Sequence, residues 1–421
     1  MENVVIKTTV LAGTLLTLTA TAQIQYDFWI STNATGNMYP SGGTRAHPLD
    51  GSTRTKFDVN MANLPAQSTI HILPGTYQTW GGYVGGGGWF VKSGQKIIGS
   101  GIDKTVIQFP QLVPEWGAGA PIICSQVNVT NAEVSDLTCD GNWAAGSITS
   151  GTNTYPGDTL SGVCFTGTHN AVRRVKVKNL GYTYPISSEA WGITISGDGT
   201  DPSEDNIIED CEVDPLIGGH NISALNFGNC SGTMHNNHIF LAADPAGSQI
   251  AINNSWGSNC LIEGNYVDGA DVGGYSDTGT STNINYENNT FKNVFQGFVF
   301  WNSPRVNLTF DFNKILLAPS GSYYSTAFGF PDGAYHTNIT IIRNRVEFDG
   351  TPQKSAWFLV GSNIVNLTVA DNMVDSSLSN CLSATNVKMY NNRGLDRKIL
   401  PQLNTSLLDN SSNTNVTLVN P

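Results

Sequence analysis

Charge is scarce in this chain. Lys, Arg, Asp and Glu make up 13% of its 421 residues, about half the share usual in a soluble domain. Acids outnumber bases 33 to 21, for a formal charge of -12. A nucleic-acid backbone is therefore disfavoured as a partner, because phosphate binding rests on clustered Lys and Arg. By the same argument an acidic polysaccharide would need a local basic or calcium-bearing site. The seven cysteines include no C-x-x-C pair, which speaks against a zinc centre. No apolar run reaches the roughly 20 residues needed to span a bilayer. The nearest, TTVLAGTLLTLTATA, is interrupted by threonines. With one Lys before it and Ala20-Thr21-Ala22 as a small-x-small cleavage site, residues 1–22 read as a secretion signal. An extracellular or periplasmic location is expected.

The chain also lacks a repeat of fixed length, which excludes tandem α-repeats, yet one small pattern recurs throughout its second half. Asn237, Asn265, Asn289, Asn313, Asn344, Asn372 and Asn392 follow one another at intervals of 20 to 31 residues. Three residues before each stands Met234, Ile262, Tyr286, Phe310, Ile341, Val369 or Met389. Two residues after stands Ile239, Val267, Phe291, Ile315, Val346, Val374 or, in the last repeat, Gly394. The step from minus three to plus two is odd, so a strand alternating between two faces changes phase at the Asn and must bend there. A bent strand recurring with a variable remainder is one rung of a parallel β-solenoid, which buries its apolar face by stacking on its neighbours. Asn suits the bend because it tolerates left-handed backbone angles, and stacked amides bond to one another. A continuous inward ladder of the seven is expected.

Upstream, Leu137, Val175 and Cys211 take the Asn position. Cys139 and Cys211 then fall at apolar positions and read as packed thiols. The same alignment sets Arg173 beside Glu209 and Lys176 beside Glu212. It also places Arg174 between Asp136 and Asp210, and Lys178 between Asp140 and Asp214. Cross-strand ion pairs explain this basic cluster more simply than a polyanion site does.

Four segments follow: the signal 1–22, an N-terminal cap 23–66, a solenoid 67–397 and a C-terminal cap or tail 398–421. Phe57, Met61 and Leu64 fit one short helix over the open end of the first rung. The strings HILPGTYQ, KIIGSGIDKTVIQF, HTNITIIRNRVEF and IVNLTVADNMVD resemble the pectate-lyase-like superfamily, over about residues 67 to 397. The resemblance implies an all-β fold, a right-handed parallel β-helix (β-solenoid) of about 10–11 rungs with an N-terminal cap. That group holds polysaccharide lyases, glycoside hydrolases, epimerases, tailspikes and adhesins. The function expected from it is a secreted carbohydrate-active enzyme, hydrolase or lyase, cleaving a long polysaccharide. The alternative is a non-catalytic β-helix that binds glycan or builds a surface structure.

The resemblance further implies a groove along the strands that precede the Asn-bearing ones: GVCFTG, WGITISG, SALNFGN, SQIAINNS, GFVFWNS, TAFGFPD and WFLVGSN. Alternation sends Val163 with Phe165, Ile250 with Ile252, Phe298 with Phe300 and Phe358 with Val360 into the core, along with their equivalents. Outward it leaves a row including Cys164, Thr194, Ala224, Asn226, Ala251, Asn253, Val299, Trp301, Ala327 and Gly329. Trp301, Trp256, Asn226, Asn253, Thr194 and Arg305 are the expected sugar contacts, since Trp and Tyr present an apolar face and a polar edge.

Glycoside hydrolysis needs two carboxyls about 5 to 9.5 Å apart. Asp198 and Asp332, directly after their strands, are the leading acids, followed by His220, Asp244 and Asp271, although most loop aspartates only shape turns. A lyase would instead draw its base and cation from groups such as His169, His220, Arg305, Tyr335 and His336. The sequence has no polygalacturonase set of paired aspartates with G-H-G and R-I-K, no R-x-P-x-x-R and no D-P-H. No catalytic residue carries over from the resemblance. Asp198, Asp201, Glu204 and Asp205 make the one oxygen-ligand set suited to calcium, without EF-hand spacing. No other cofactor is implied.

Overall fold

The computed structural model describes residues 26–82, 88–110, 120–142, 159–180, 189–197, 203–214, 216, 221–241, 248–319, 325–331, 333–349, 356–400 and 416–418. Residues 1–22, expected to be a signal, lie outside them. Apart from one α-helix, the described residues form parallel strands stacked rung on rung. Each rung passes through the groove strand, then a second strand such as Ser258–Glu263 or Ser281–Glu287, then a third beginning just after the ladder Asn. The architecture is a right-handed parallel β-helix. Already the strand Tyr26–Ser31 pairs in parallel with Ser68–Ile72, so stacking starts before the first repeat visible in the sequence.

The buried ladder is continuous. Each Asn side-chain NH2 donates to the carboxamide oxygen one rung on, from Asn237 to Asn265 at 2.9 Å through to Asn372 to Asn392 at 2.9 Å. It donates as well to a carbonyl on the preceding rung, as Asn265 does to Met234 at 3.0 Å. The carboxamide oxygen also accepts the backbone N–H of the Asn one rung back. Every polar atom of the row is thereby satisfied away from water. The left-handed residue at the bend is not the ladder Asn but the one before it: Asn236, Asn288, Phe312, Arg343, Asp371 and Asn391 all have φ between 53° and 57°. The Asn is there for its amide, and the corner strain falls on its neighbour.

Asn259, Asn283, Asn307, Asn338, Asn366 and Asn386 form a second ladder, on the surface, with amide contacts of 2.7 to 3.0 Å. These residues are themselves left-handed, where Asn is the best tolerated side chain after Gly.

The ion pairs follow the expected register with one exchange. Arg173 pairs with Glu209, and Arg174 holds Asp136 through two bonds of 2.7 and 2.9 Å. Lys178 reaches Asp140 at 3.8 Å. Asp214, assigned from the sequence to Lys178, is held by Lys176, which bridges Glu212 at 2.8 Å and Asp214 at 3.0 Å. By register Asp214 lies opposite Lys178, but the Lys176 side chain, in register with Glu212, reaches diagonally across to it.

The helix α1 (Arg54–Asn63) buries Phe57 and Met61, with Leu64 just beyond it, and Thr53 caps its start. It also buries Asp58, whose carboxylate accepts from Thr79 Oγ1 at 2.5 Å and from the Trp80 backbone at 3.2 Å. Burial outweighs these bonds and pushes Asp58 up to about 6. Because the folded state then holds this proton more tightly than the unfolded chain does, stability falls as pH rises from about 4 to 6. Asp58→Asn should flatten this part of the melting temperature against pH curve. An unchanged slope in the variant would assign it to another group.

Candidate functional site

The outer face of the groove sheet carries the site. In register across the rungs run Cys124, Cys164, Thr194, Asn226, Asn253, Tyr275, Val299, Gly329 and Val360. Trp191, Ser223, Ile250, Val272 and Gln296 form a second outward row. Between the two lie two consecutive inward residues, because the strand turns a corner there. The first inward row is Gly162, Gly192, Ala224, Ala251, Gly273, Gly297 and Ala327, and its three alanines are fully buried. A Cβ at Gly162 would stand 2.7 Å from Val177 Cγ1, and one at Gly297 3.1 Å from Ile315 Cδ1. Only small residues fit so close to the opposite strand. Strict alternation therefore fails at this corner: Ala224, Ala251 and Ala327, expected outside, face the core. Ile250, expected in the core, faces outward, and Val360 exchanges with Leu359.

The result is a cleft of about 540 Å³. Ile250 and Val272 line its apolar floor and pack with the buried Val299 in a cluster separate from the main core, with Tyr275 packed against it. Trp191, Trp256 and Trp301 stand around it, and Asn226, Asn229, Asn253 and Gln296 offer amides. Trp301 is 38% exposed and Trp256 46%, so both rings are open to a ligand. Their placement is built from below. Gly279 lies so close to the Trp256 ring that a Cβ would meet it at 1.0 Å. The buried Arg305 donates to the carbonyls of Gly279 at 2.5 Å, Pro304 at 3.0 Å and Trp301 at 3.1 Å, tying together the two segments that carry the platform.

Two carboxyls line the cleft. Asp271 is buried and its Oδ2 accepts the Gln249 backbone N–H at 2.7 Å. At the other edge, Asp277 Oδ1 lies 3.1 Å from Ser255 Oγ and 3.1 Å from Thr278 Oγ1, and Ser255 Oγ lies 2.8 Å from Asn253 Oδ1. Burial and the Asp277 carboxylate raise the Tyr275 phenol, which stays protonated. Six residues of strand separate Asp271 from Asp277, a contour of roughly 20 Å at about 3.3 Å per residue that the corner at Gly273 and Gly274 shortens in space. The two carboxyls stand on either side of the corner.

No family model and no curated protein matches the chain. Among solved structures, DFA-IIIase from Arthrobacter chlorophenolicus A6 without its lid is similar at 14% identity, covering 89% of this chain and 96% of that one with a TM-score of 0.53. The AlgE6 A-module, a mannuronan C-5 epimerase of Azotobacter vinelandii, is similar at 14% identity over 84% and 91%, with a TM-score of 0.52. The chain shares their fold, a parallel β-helix. Identities so low carry the architecture alone.

In this β-helix the cleft brings together Asn226, Asn253, Trp256, Asp271 and Trp301 from the sequence-derived candidates. Thr194 and Arg305 are buried, so both are corrected from sugar contacts to structural positions, and Arg305 acts through the loops it binds. Asp198, Asp332, His220 and Asp244 lie outside the described residues. So do Asp198 and Asp201 of the calcium set, and among the described residues no three His, Cys, Asp or Glu converge on a metal position. Tyr275 was missed because its strand, Tyr266–Ser276, runs around the corner without a turn. A signal existed: Tyr275 and Val299 each stand ten residues after a ladder Asn, Asn265 and Asn289.

Proposed function

We propose that the protein is an extracellular carbohydrate-active β-helix that binds a long saccharide chain across the rungs from Trp191 to Trp301 and acts on it through Asp271. One observation carries this reading: exposed indoles, amides and a buried carboxyl converge on an apolar floor in a single cleft. Aromatic faces suit the C–H faces of sugar rings, and the amides both donate to and accept from sugar hydroxyls.

The test is incubation of the purified protein with a polysaccharide panel, following reducing ends and the absorbance of unsaturated products. Reducing ends without unsaturation identify a hydrolase, and unsaturation identifies a lyase. Absence of binding to every polysaccharide overturns the reading. Trp301→Ala should weaken binding roughly tenfold, the loss of about 1.4 kcal/mol of ring contact. The melting temperature should hardly move, because the ring is exposed.

A second reading, binding without turnover, is favoured by the position of the two described carboxyls on either side of the corner. Binding with neither reducing ends nor unsaturation would select it.

A further inference from the structure

The chain has no lysine or arginine anywhere from Asn179 to Phe291. That stretch supplies the strands Glu189–Ser196, Asn221–Gly228, Ser248–Ser255 and Tyr266–Ser276, together with every connection between them. The cations on either side are committed elsewhere. Arg173, Arg174, Lys176 and Lys178 pair with acids of neighbouring rungs. Lys292 holds Asp268 at 3.0 Å, and Arg305 is buried against three carbonyls. Among the described residues, the ionisable side chains lining the cleft are Asp271, Asp277 and the phenol of Tyr275, and no cation lines it.

We infer that the saccharide recognised here is an uncharged one, and that the cleft discriminates against polyuronates. This rests on the saccharide-binding reading above. A polyuronate brings one carboxylate per residue into a low-dielectric groove whose described lining offers no basic partner and already holds two acids. Such like-charge juxtaposition and unpaired desolvation reject a ligand strongly. Between Asp271 and Asp277 the surface is neutral: Asn226, Asn253 and Gln296 offer amides, Ser255 a hydroxyl, and Ile250 and Val272 an apolar base. Because the two acids stand at opposite edges, a chain lying between them meets uncharged groups, which also separates this site from one for a cationic amino-sugar polymer.

The experiment is affinity electrophoresis and titration of the full chain in EDTA against neutral glucan, mannan and fructan, polygalacturonate, alginate and chitosan. At least one neutral polymer should bind, with a Kd that changes less than about twofold between 50 and 500 mM NaCl, since screening has little to act on. Polygalacturonate and alginate should bind at least about a hundredfold more weakly, the effect of one or two unpaired buried charges. Asn253→Lys, which places a cation on the floor, should narrow that gap at low salt. Preferential binding of a uronate or of chitosan would overturn the inference while leaving a saccharide site standing, as would uronate binding restored by calcium. Failure of all six polymers to bind would overturn the saccharide reading itself.

Discussion

Asn313→Ala should lower stability by about 3–4 kcal/mol, whereas Asn307→Gly should change it by no more than about 0.5 kcal/mol. Both residues belong to amide ladders of similar bond length. Asn313 donates to Tyr286 O at 2.9 Å and to Asn344 Oδ1 at 3.0 Å, and its oxygen accepts both the backbone and side-chain N–H of Asn289. Truncation leaves the Asn289 backbone N–H and the Tyr286 carbonyl deprived of these bonds where water cannot reach. Asn307 donates to Asn283 at 2.8 Å and accepts from Asn338 at 2.7 Å, but water replaces those bonds at once. Gly is the right control there because Asn307 has φ 58°, a conformation that Ala would strain and Gly adopts freely. Chemical denaturation of the two variants side by side checks the difference. Equal losses would mean that burial does not set the strength of the inner ladder.

The contrast between the ladders shows why much of the fold was legible. A buried amide at a fixed place in an apolar pattern has few explanations, since an unsatisfied Asn there would be costly. The odd phase step around Asn237 to Asn392 therefore reported both the bend and the stack. The surface ladder has the same chemistry, but exposed Asn residues are common in turns, and nothing in their neighbours forces a pairing. The same limit explains Lys176. Sequence alignment gives the register of Glu212 correctly, but a lysine's reach covers two acids, and which one it takes depends on side-chain path rather than on register.

The site was legible in part, for a similar reason. Trp301 stands out because a large ring directly after two core phenylalanines, Phe298 and Phe300, must go somewhere, and alternation sends it outward. Gly and Ala give no such signal. Gly162, Gly192, Ala224 and Ala251 fit an outer face or a tight inner corner equally well, and only the close approach of Val177 and its counterparts decides between them. That single ambiguity moved Ile250 and Val360 to the wrong side. It also hid the apolar floor that Ile250 makes with Val272. Arg305 was misplaced because an arginine near a groove reads as a ligand contact, while the remote carbonyl of Gly279 that it binds together with those of Pro304 and Trp301 is invisible in one dimension.

Asp271→Asn should reduce turnover of the polysaccharide identified by the panel roughly a hundred- to ten-thousand-fold, the range of a lost acid–base group. Binding should be nearly unchanged. The substitution is close to isosteric, and its side-chain oxygen can still accept the Gln249 N–H that Asp271 Oδ2 now accepts at 2.7 Å, so the local backbone has no reason to shift. Asp277→Asn provides the internal comparison. Asp277 sits at the opposite edge of the cleft, linked to Ser255, Thr278 and the Tyr275 phenol, where it orders the groups that hold the chain rather than the bond that reacts. Its loss should appear mainly in KM, with kcat within a few-fold of wild type, because interactions equal in ground and transition states change KM alone. Wild-type kcat in Asp271→Asn would remove Asp271 from the chemistry. A fall in kcat in Asp277→Asn as large as that expected for Asp271→Asn would place the reacting bond at the Trp301 edge instead.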